Sequence, residues 1–122
     1  MDRRPHDMAA FLAGTCDAYG IMQLKDRDDL ADRRFRSADY LYQQGIVPST
    51  DDYDLWYEEV IGEITDTTAF LDKLYVEFNI RRPSDFQGHS LSVSDVIAVR
   101  QQGKMEFYFV NSIGFKKVEM QR

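Results

Sequence analysis

The sequence predicts an α+β domain: a small, mostly antiparallel, curved sheet with two to three helices and a C-terminal β-hairpin. Three observations carry this expectation. Phe70, Leu71, Leu74, Tyr75 and Phe78 recur at the spacing of one helix face. Beyond Pro83 the chain changes to β-branched and aromatic runs, 96–99 and 105–110, joined by a short turn-forming stretch. Upstream, two segments of strand character flank a capped helical stretch, so the order reads β-α-β-α-β-β-β.

Taken in order, residues 1–17 form an N-terminal extension expected to be helical. Pro5 suits a first helical position, Met8, Phe11 and Leu12 fall on one face, and Gly14 ends it. Residues 18–122 form a single domain. Residues 19–24 are a strand with Tyr19, Ile21 and Gln23 on one face. Residues 25–29 are a charged loop, and Phe35 belongs to a short extended piece. Ser37 caps a helix running through Tyr40, Leu41 and Gln44, which Gly45 ends. After a turn at 48–52, residues 53–61 alternate, which puts Tyr53, Leu55 and Tyr57 on one face and Asp54, Trp56 and Glu58 on the other. Asp66 or Thr65 caps the main helix, whose Phe70, Leu74 and Phe78 are expected against the sheet. Asn79 suits its C-cap, and Pro83 blocks continuation. Strands follow at 96–99, 105–110 and 115–118, the first two joined by a turn at 101–104.

With 122 residues, 43% of them apolar, the chain can bury one core without staples. The single Cys16 has no internal disulfide partner, which favours a reducing compartment. No apolar stretch approaches the roughly 20 residues that span a bilayer, and no signal-peptide pattern follows Arg3 and Arg4. The expectation is a cytoplasmic protein without a membrane partner.

Charge is unevenly spread. No Lys or Arg occurs between Arg36 and Lys73, where nine carboxylates give −9 against −6 for the whole chain. Nucleic-acid binding wants a basic stripe against the phosphates, so this balance argues against direct nucleic-acid contact and for a basic protein partner. The alternative is a merely solvated acidic face. The arginines at 33, 34, 36, 81 and 82 read as surface residues able to pair with neighbouring aspartates.

The densest phrase is 82–97, Arg-Pro-Ser-Asp-Phe-Gln-Gly-His-Ser-Leu-Ser-Val-Ser-Asp-Val-Ile. Its architectural reading is a corner leading into the C-terminal hairpin. Gly88 would take a positive φ, Ser92 and Ser94 would bond nearby backbone, and Asp95 would accept backbone N–H groups. Its chemical reading is a nucleophilic triad, because Ser90, His89 and Asp95 supply the residue types. Adjacent side chains seldom reach triad geometry, and no Gly-x-Ser-x-Gly elbow is present. A hydrolase or transferase using His89 would also need that residue beside a concave pocket. His6, His89 and Cys16 show no metal-ligand spacing, 51–54 lacks the rest of a calcium loop, and the scattered glycines make no phosphate cradle. No catalytic residue, metal or cofactor is assigned.

The block 82–97, the segment Ala-Tyr-Gly-Ile-Met-Gln-Leu-Lys at 18–25, Leu-Tyr-Val-Glu-Phe-Asn at 74–79 and Asn-Ser-Ile-Gly-Phe at 111–115 together resemble the YodL-like domain. The likeness covers about 18–119. The resemblance implies a small module of conjugative and other mobile elements of Gram-positive bacteria. It brings no catalytic residues, and it implies an acidic residue where Asn111 stands. Such elements carry genes for transfer, regulation and escape from host defence.

The leading expectation is therefore a non-enzymatic interaction protein of a mobile element, a counter-defence inhibitor of anti-CRISPR or antirestriction type. It would bind a basic protein surface, such as that of a nucleic-acid-processing effector, through Asp51, Asp52, Asp54, Trp56, Glu58, Glu59 and Glu63. The alternative is an accessory or regulatory docking module of a conjugative element with no nuclease target.

Overall fold

The computed structural model describes residues 4–122. Five strands form one open antiparallel sheet: β1 (Ala18–Leu24), β2 (Tyr53–Val60), β3 (Val96–Gln101), β4 (Lys104–Val110) and β5 (Phe115–Val118). Their order is β2-β1-β3-β4-β5, so β1 and β3 lie inside and β2 and β5 are the edges. Three helices accompany the sheet: α1 (Met8–Ala13), α2 (Ala38–Gln43) and α3 (Thr67–Ile80). The α+β expectation and the C-terminal β4–β5 hairpin are observed.

Alternation along the strands builds two cores, one on each face. Tyr19, Ile21, Ile97 and Val99 meet Leu71, Leu74 and Phe78 of α3, together with Phe86 and Leu91. Ala18, Met22, Leu24, Val96 and Ala98 meet Phe11 of α1, Leu30, and Ala38 and Leu41 of α2. Because both faces are covered, every residue of β1 is buried. The α3 stripe is rotated slightly from expectation: Leu71, Leu74 and Phe78 are buried, whereas Phe70 is half-buried and Tyr75 exposed. Asp66 caps α3 by accepting from the Ala69 N–H at 3.1 Å. The helix runs through Asn79 to Ile80, so Asn79 does not cap it.

The expected face assignment of β2 is corrected by a β-bulge. Ile21 pairs with Tyr57 and Met22 with Leu55, which leaves Trp56 as an extra residue. Tyr53 and Leu55 therefore face the α1/α2 core, while Tyr57 faces α3. One inserted residue inverts the side-chain phase of the rest of the strand.

Local chemistry explains the connections. Asp7, rather than Pro5, opens α1: its carboxylate accepts from the Ala10 N–H at 3.1 Å. Buried Arg100 of β3 then donates to the carbonyls of Phe11 and Cys16, fixing the end of α1 to the sheet. Residues 28–33, expected within or beside a loop, form a 3₁₀ helix because Leu30 inserts fully into the core. Ser37 caps α2 as expected, and Asn111 accepts from the Ala38 N–H at 2.9 Å. That contact needs only a side-chain oxygen, so an acidic residue there could serve equally. Phe35 is not extended but adopts φ 64° and is 71% exposed. Gln102 and Gly103, with φ 51° and 78°, join β3 to β4 through the two positive-φ positions of a tight hairpin.

Candidate functional site

A cleft of about 540 Å³ opens on the α3 side of the sheet, lined by parts of β1, β2 and the loop before β3. Gln23 and Leu24 come from β1, Asp54 and Trp56 from β2, Gln87, Gly88 and His89 from the loop, and Asp26 and Arg34 from the segment after β1.

The loop is fixed by one buried amide. Gln23, 1% exposed, pairs with the backbone of His89 in both directions: its Oε1 accepts from the His89 N–H at 3.1 Å, and its Nε2 donates to the His89 carbonyl at 2.8 Å. The same Nε2 donates to Asp95 Oδ2 at 3.1 Å. The two amide hydrogens are then committed, so the 3.2 Å approach of Nε2 to His89 Nδ1 is proximity. Gly88 has no positive φ, contrary to expectation. Glycine is needed for closeness instead, because a Cβ would sit 2.3 Å from Gln23 Oε1 and 2.9 Å from the Phe86 ring.

Asp95 lies behind His89 and is 1% exposed. As expected, it accepts a backbone bond, from the Ser92 N–H at 2.8 Å. Burial pushes its carboxyl up to about 8, against the opposing effects of the Ser92 and Gln23 hydrogen bonds and of nearby Arg34. Its 3.8 Å approach to His89 Nε2 is too long for a hydrogen bond, and burial disfavours the carboxylate charge that an ion pair would need. Ser94, at φ 85°, accepts from the Phe35 N–H through its hydroxyl and from the Tyr53 hydroxyl, at 2.7 Å, through its carbonyl. Burial, with Asp95 and Asp52 nearby, raises the Tyr53 phenol strongly.

His89 does line the cleft, with its side chain 47% exposed, so position alone does not remove it from chemistry. The residue types of a triad are nonetheless not assembled as one. His89 Nδ1 faces the Ser90 carbonyl at 2.8 Å and donates to it. The Ser92 hydroxyl donates to that same carbonyl. Among the described residues no hydrogen bond joins a serine hydroxyl to the imidazole, and Asp95 bonds Gln23 and Ser92 rather than the ring.

The expected partner-binding residues divide into three groups. Asp54 and Trp56 both line the cleft. Asp52 is held at 2.9 Å by Arg27 and 3.0 Å by Arg33, and Glu59 accepts from the Tyr19 and Tyr57 hydroxyls at 3.0 and 3.4 Å. Glu59 and burial push the Tyr57 phenol up to about 12, burial being the larger cause. Asp51, Glu58 and Glu63 are exposed, Glu58 lying 3.1 Å from His6 Nδ1. The acidic window is thus spread along the edge strand, and part of its charge is used inside the fold.

Sequence reasoning did not place Gln23, Asp26, Arg34 or Gln87 at this site. Gln23 carried a usable signal, a polar residue on the inward face of an apolar strand. Arg34 carried none, since it sits in a run of charges whose pairings depend on the fold: it lies 3.6 Å from Asp26.

Among the described residues, no group of three or more His, Cys, Asp or Glu is placed to hold a metal ion, and no helix is long and apolar enough to cross a membrane. The sequence model of the YodL-like domain matches residues 18–120. No curated protein and no solved structure matches the chain.

Proposed function

From the premise that the chain belongs to the YodL-like domain family, we propose that it is a non-enzymatic binding module whose β2 edge and adjoining cleft dock onto a basic protein surface. The observation that supports this reading most is that Asp54 and Trp56 both line the cleft, with Asp51 and Glu58 exposed on the same stretch of chain. Carboxylates flanking an indole suit an arginine or lysine side chain, which takes charge-assisted hydrogen bonds and an aromatic face together. The imidazole of His89 is turned toward its own loop carbonyl, which suits a structural role better than proton transfer.

The finer proposal is a protein of a mobile element that blocks a host defence nuclease by occupying its phosphate-binding basic residues. Its support is the −9 charge of the window that contains β2 together with the kind of element in which such domains are expected. Purified restriction and CRISPR effector nucleases, assayed for DNA cleavage with and without this protein, test it. Inhibition should disappear when Asp51, Asp54 and Glu58 are changed together to Lys. Asp52 and Glu59 are left intact because their partners are internal. A folded triple variant that inhibits as well as the parent refutes the acidic surface. Binding to a basic element protein with no nuclease inhibited would move the reading to the accessory docking module.

A further inference from the structure

The outer edge of β2 receives a contact from the N-terminal segment. The His6 N–H donates to the Leu55 carbonyl at 2.7 Å, as an isolated antiparallel bridge. Among the described residues this is the only backbone hydrogen bond to that edge. Side-chain contacts accompany it, among them the Arg4 N–H, which donates to Gln87 Oε1 at 3.3 Å, and His6 Nδ1, which meets Glu58 at 3.1 Å. Residues 4–7 are exposed, and the core anchor begins with half-buried Met8 and buried Phe11. Arg4-Pro5-His6 therefore lies along the acidic edge, reaches the cleft wall at Gln87, and among the described residues joins the β2 backbone by a single bridge.

We propose that this edge receives an extended basic segment of a protein partner as a sixth strand, antiparallel to β2, and that Arg4-Pro5-His6 holds its place in the free protein. The inference rests on the docking reading above and gives the partner a shape. Strand addition supplies main-chain hydrogen bonds, and alternate side chains then find the cleft. A segment with Arg or Lys at alternate positions would direct those side chains toward Asp54 and Asp26 on the cleft side. Glu58 would become available once His6 leaves. The in-phase positions on either side make no further ladder bond, since the Arg4 N–H is spent on Gln87 Oε1 and Met8 already belongs to α1, so a better-bonded strand can displace the single bridge. Competition in cis lowers the apparent affinity by the fraction of molecules whose edge is open.

Fluorescence anisotropy with a short fluorescein-labelled peptide of alternating Arg and Val tests this on the full chain. The parent should bind weakly, and His6→Pro, which removes the N–H donated to Leu55, should bind about tenfold more tightly. Adding Asp54→Lys to His6→Pro should reverse that gain. The same peptide with alternate backbone N-methyl groups should lose binding, because it cannot complete the ladder. Equal binding of the N-methylated peptide overturns strand addition while leaving an acidic docking surface in place. No peptide binding to either protein, with nuclease inhibition still abolished by the charge reversals, overturns the strand inference alone. Peptide binding that ignores Asp54→Lys overturns the role of the acidic cleft as well. Unchanged affinity in His6→Pro overturns the place-holding role of the N-terminal stretch.

Discussion

Replacing Asp95 by Asn should change how stability depends on pH more than it changes stability at any one pH. Asp95 is 1% exposed, and burial raises it from the ordinary 3.8 to about 8. Between those values the folded protein keeps a proton that the unfolded chain has released. The sign follows from linkage: the contribution of Asp95 is fully present below about pH 4 and is lost as pH rises through about 8. One proton of difference gives a slope of at most about 1.4 kcal/mol per pH unit. Asn has the same shape, still offers an oxygen to the Ser92 N–H and the Gln23 amide, and does not titrate. Urea unfolding of both proteins at several pH values from about 5 to 8, read by the single Trp56, isolates the effect, because the other carboxylates cancel in the difference. The Asn variant should gain on the parent as pH rises, by up to about 4 kcal/mol across that range. Arg34 and His89 both lie near Asp95, so repeating the comparison in a His89→Gln background separates the imidazole from the carboxyl. A difference that stays constant within about 0.5 kcal/mol across the range would show that Asp95 is ionised in the fold and that its burial has been misjudged.

Two further perturbations test the packing that shapes the cleft. Leu74→Ala, on the face of α3 buried against the sheet, should cost about 2–5 kcal/mol in the same assay, and a loss under about 1 kcal/mol would mean the helix face is assigned wrongly. Gly88→Ala forces a Cβ against Gln23 Oε1 and the Phe86 ring and should lower stability by about 1–3 kcal/mol; a neutral result would show that the loop can withdraw from Gln23 freely.

The legible parts of this fold were those written in local chemistry. The caps at Ser37 and Asp66, the turn at Gln102-Gly103 and the stripe of α3 each depend on residues within a few positions of one another. The illegible parts depend on partners far away in the chain. The bulge at Trp56 is invisible in a run that alternates, because it exists only in register against β1. The helical turn at 28–33 has a charged surface and one apolar residue, Leu30, whose burial is decided by the cavity awaiting it between the sheet and its neighbours. At the candidate site the acidic residues were visible as a run, but which of them remain outward was not. Asp52 and Asp51 are neighbours in sequence, yet Arg27 and Arg33 hold only the carboxylate of the former. The 82–97 block was legible as a corner, whereas its fastening to Gln23, some 66 residues away in the chain, was not.

The topology also narrows where recognition can occur. Helices and loops cover both faces of the inner strands, so the sheet presents itself to a partner chiefly at its two edges. These edges are not equivalent. The β5 edge is a short strand bearing Lys116 and Lys117, a composition that discourages further strand pairing. The β2 edge is twice as long at eight residues, bulged at Trp56, and acidic toward its C-terminal end. A bulge bends an edge and re-aims side chains, here carrying Tyr57 to the face that Asp54 and Trp56 already share. Edges left accessible are usually blunted, and among the described residues the backbone of this one meets a single bridge, from His6. Removing that bridge should therefore matter little to the core, which the same segment reaches through Met8 and Phe11 of α1, and should matter much to whatever pairs with β2. It is this separation of stability from edge access that makes His6→Pro a discriminating variant.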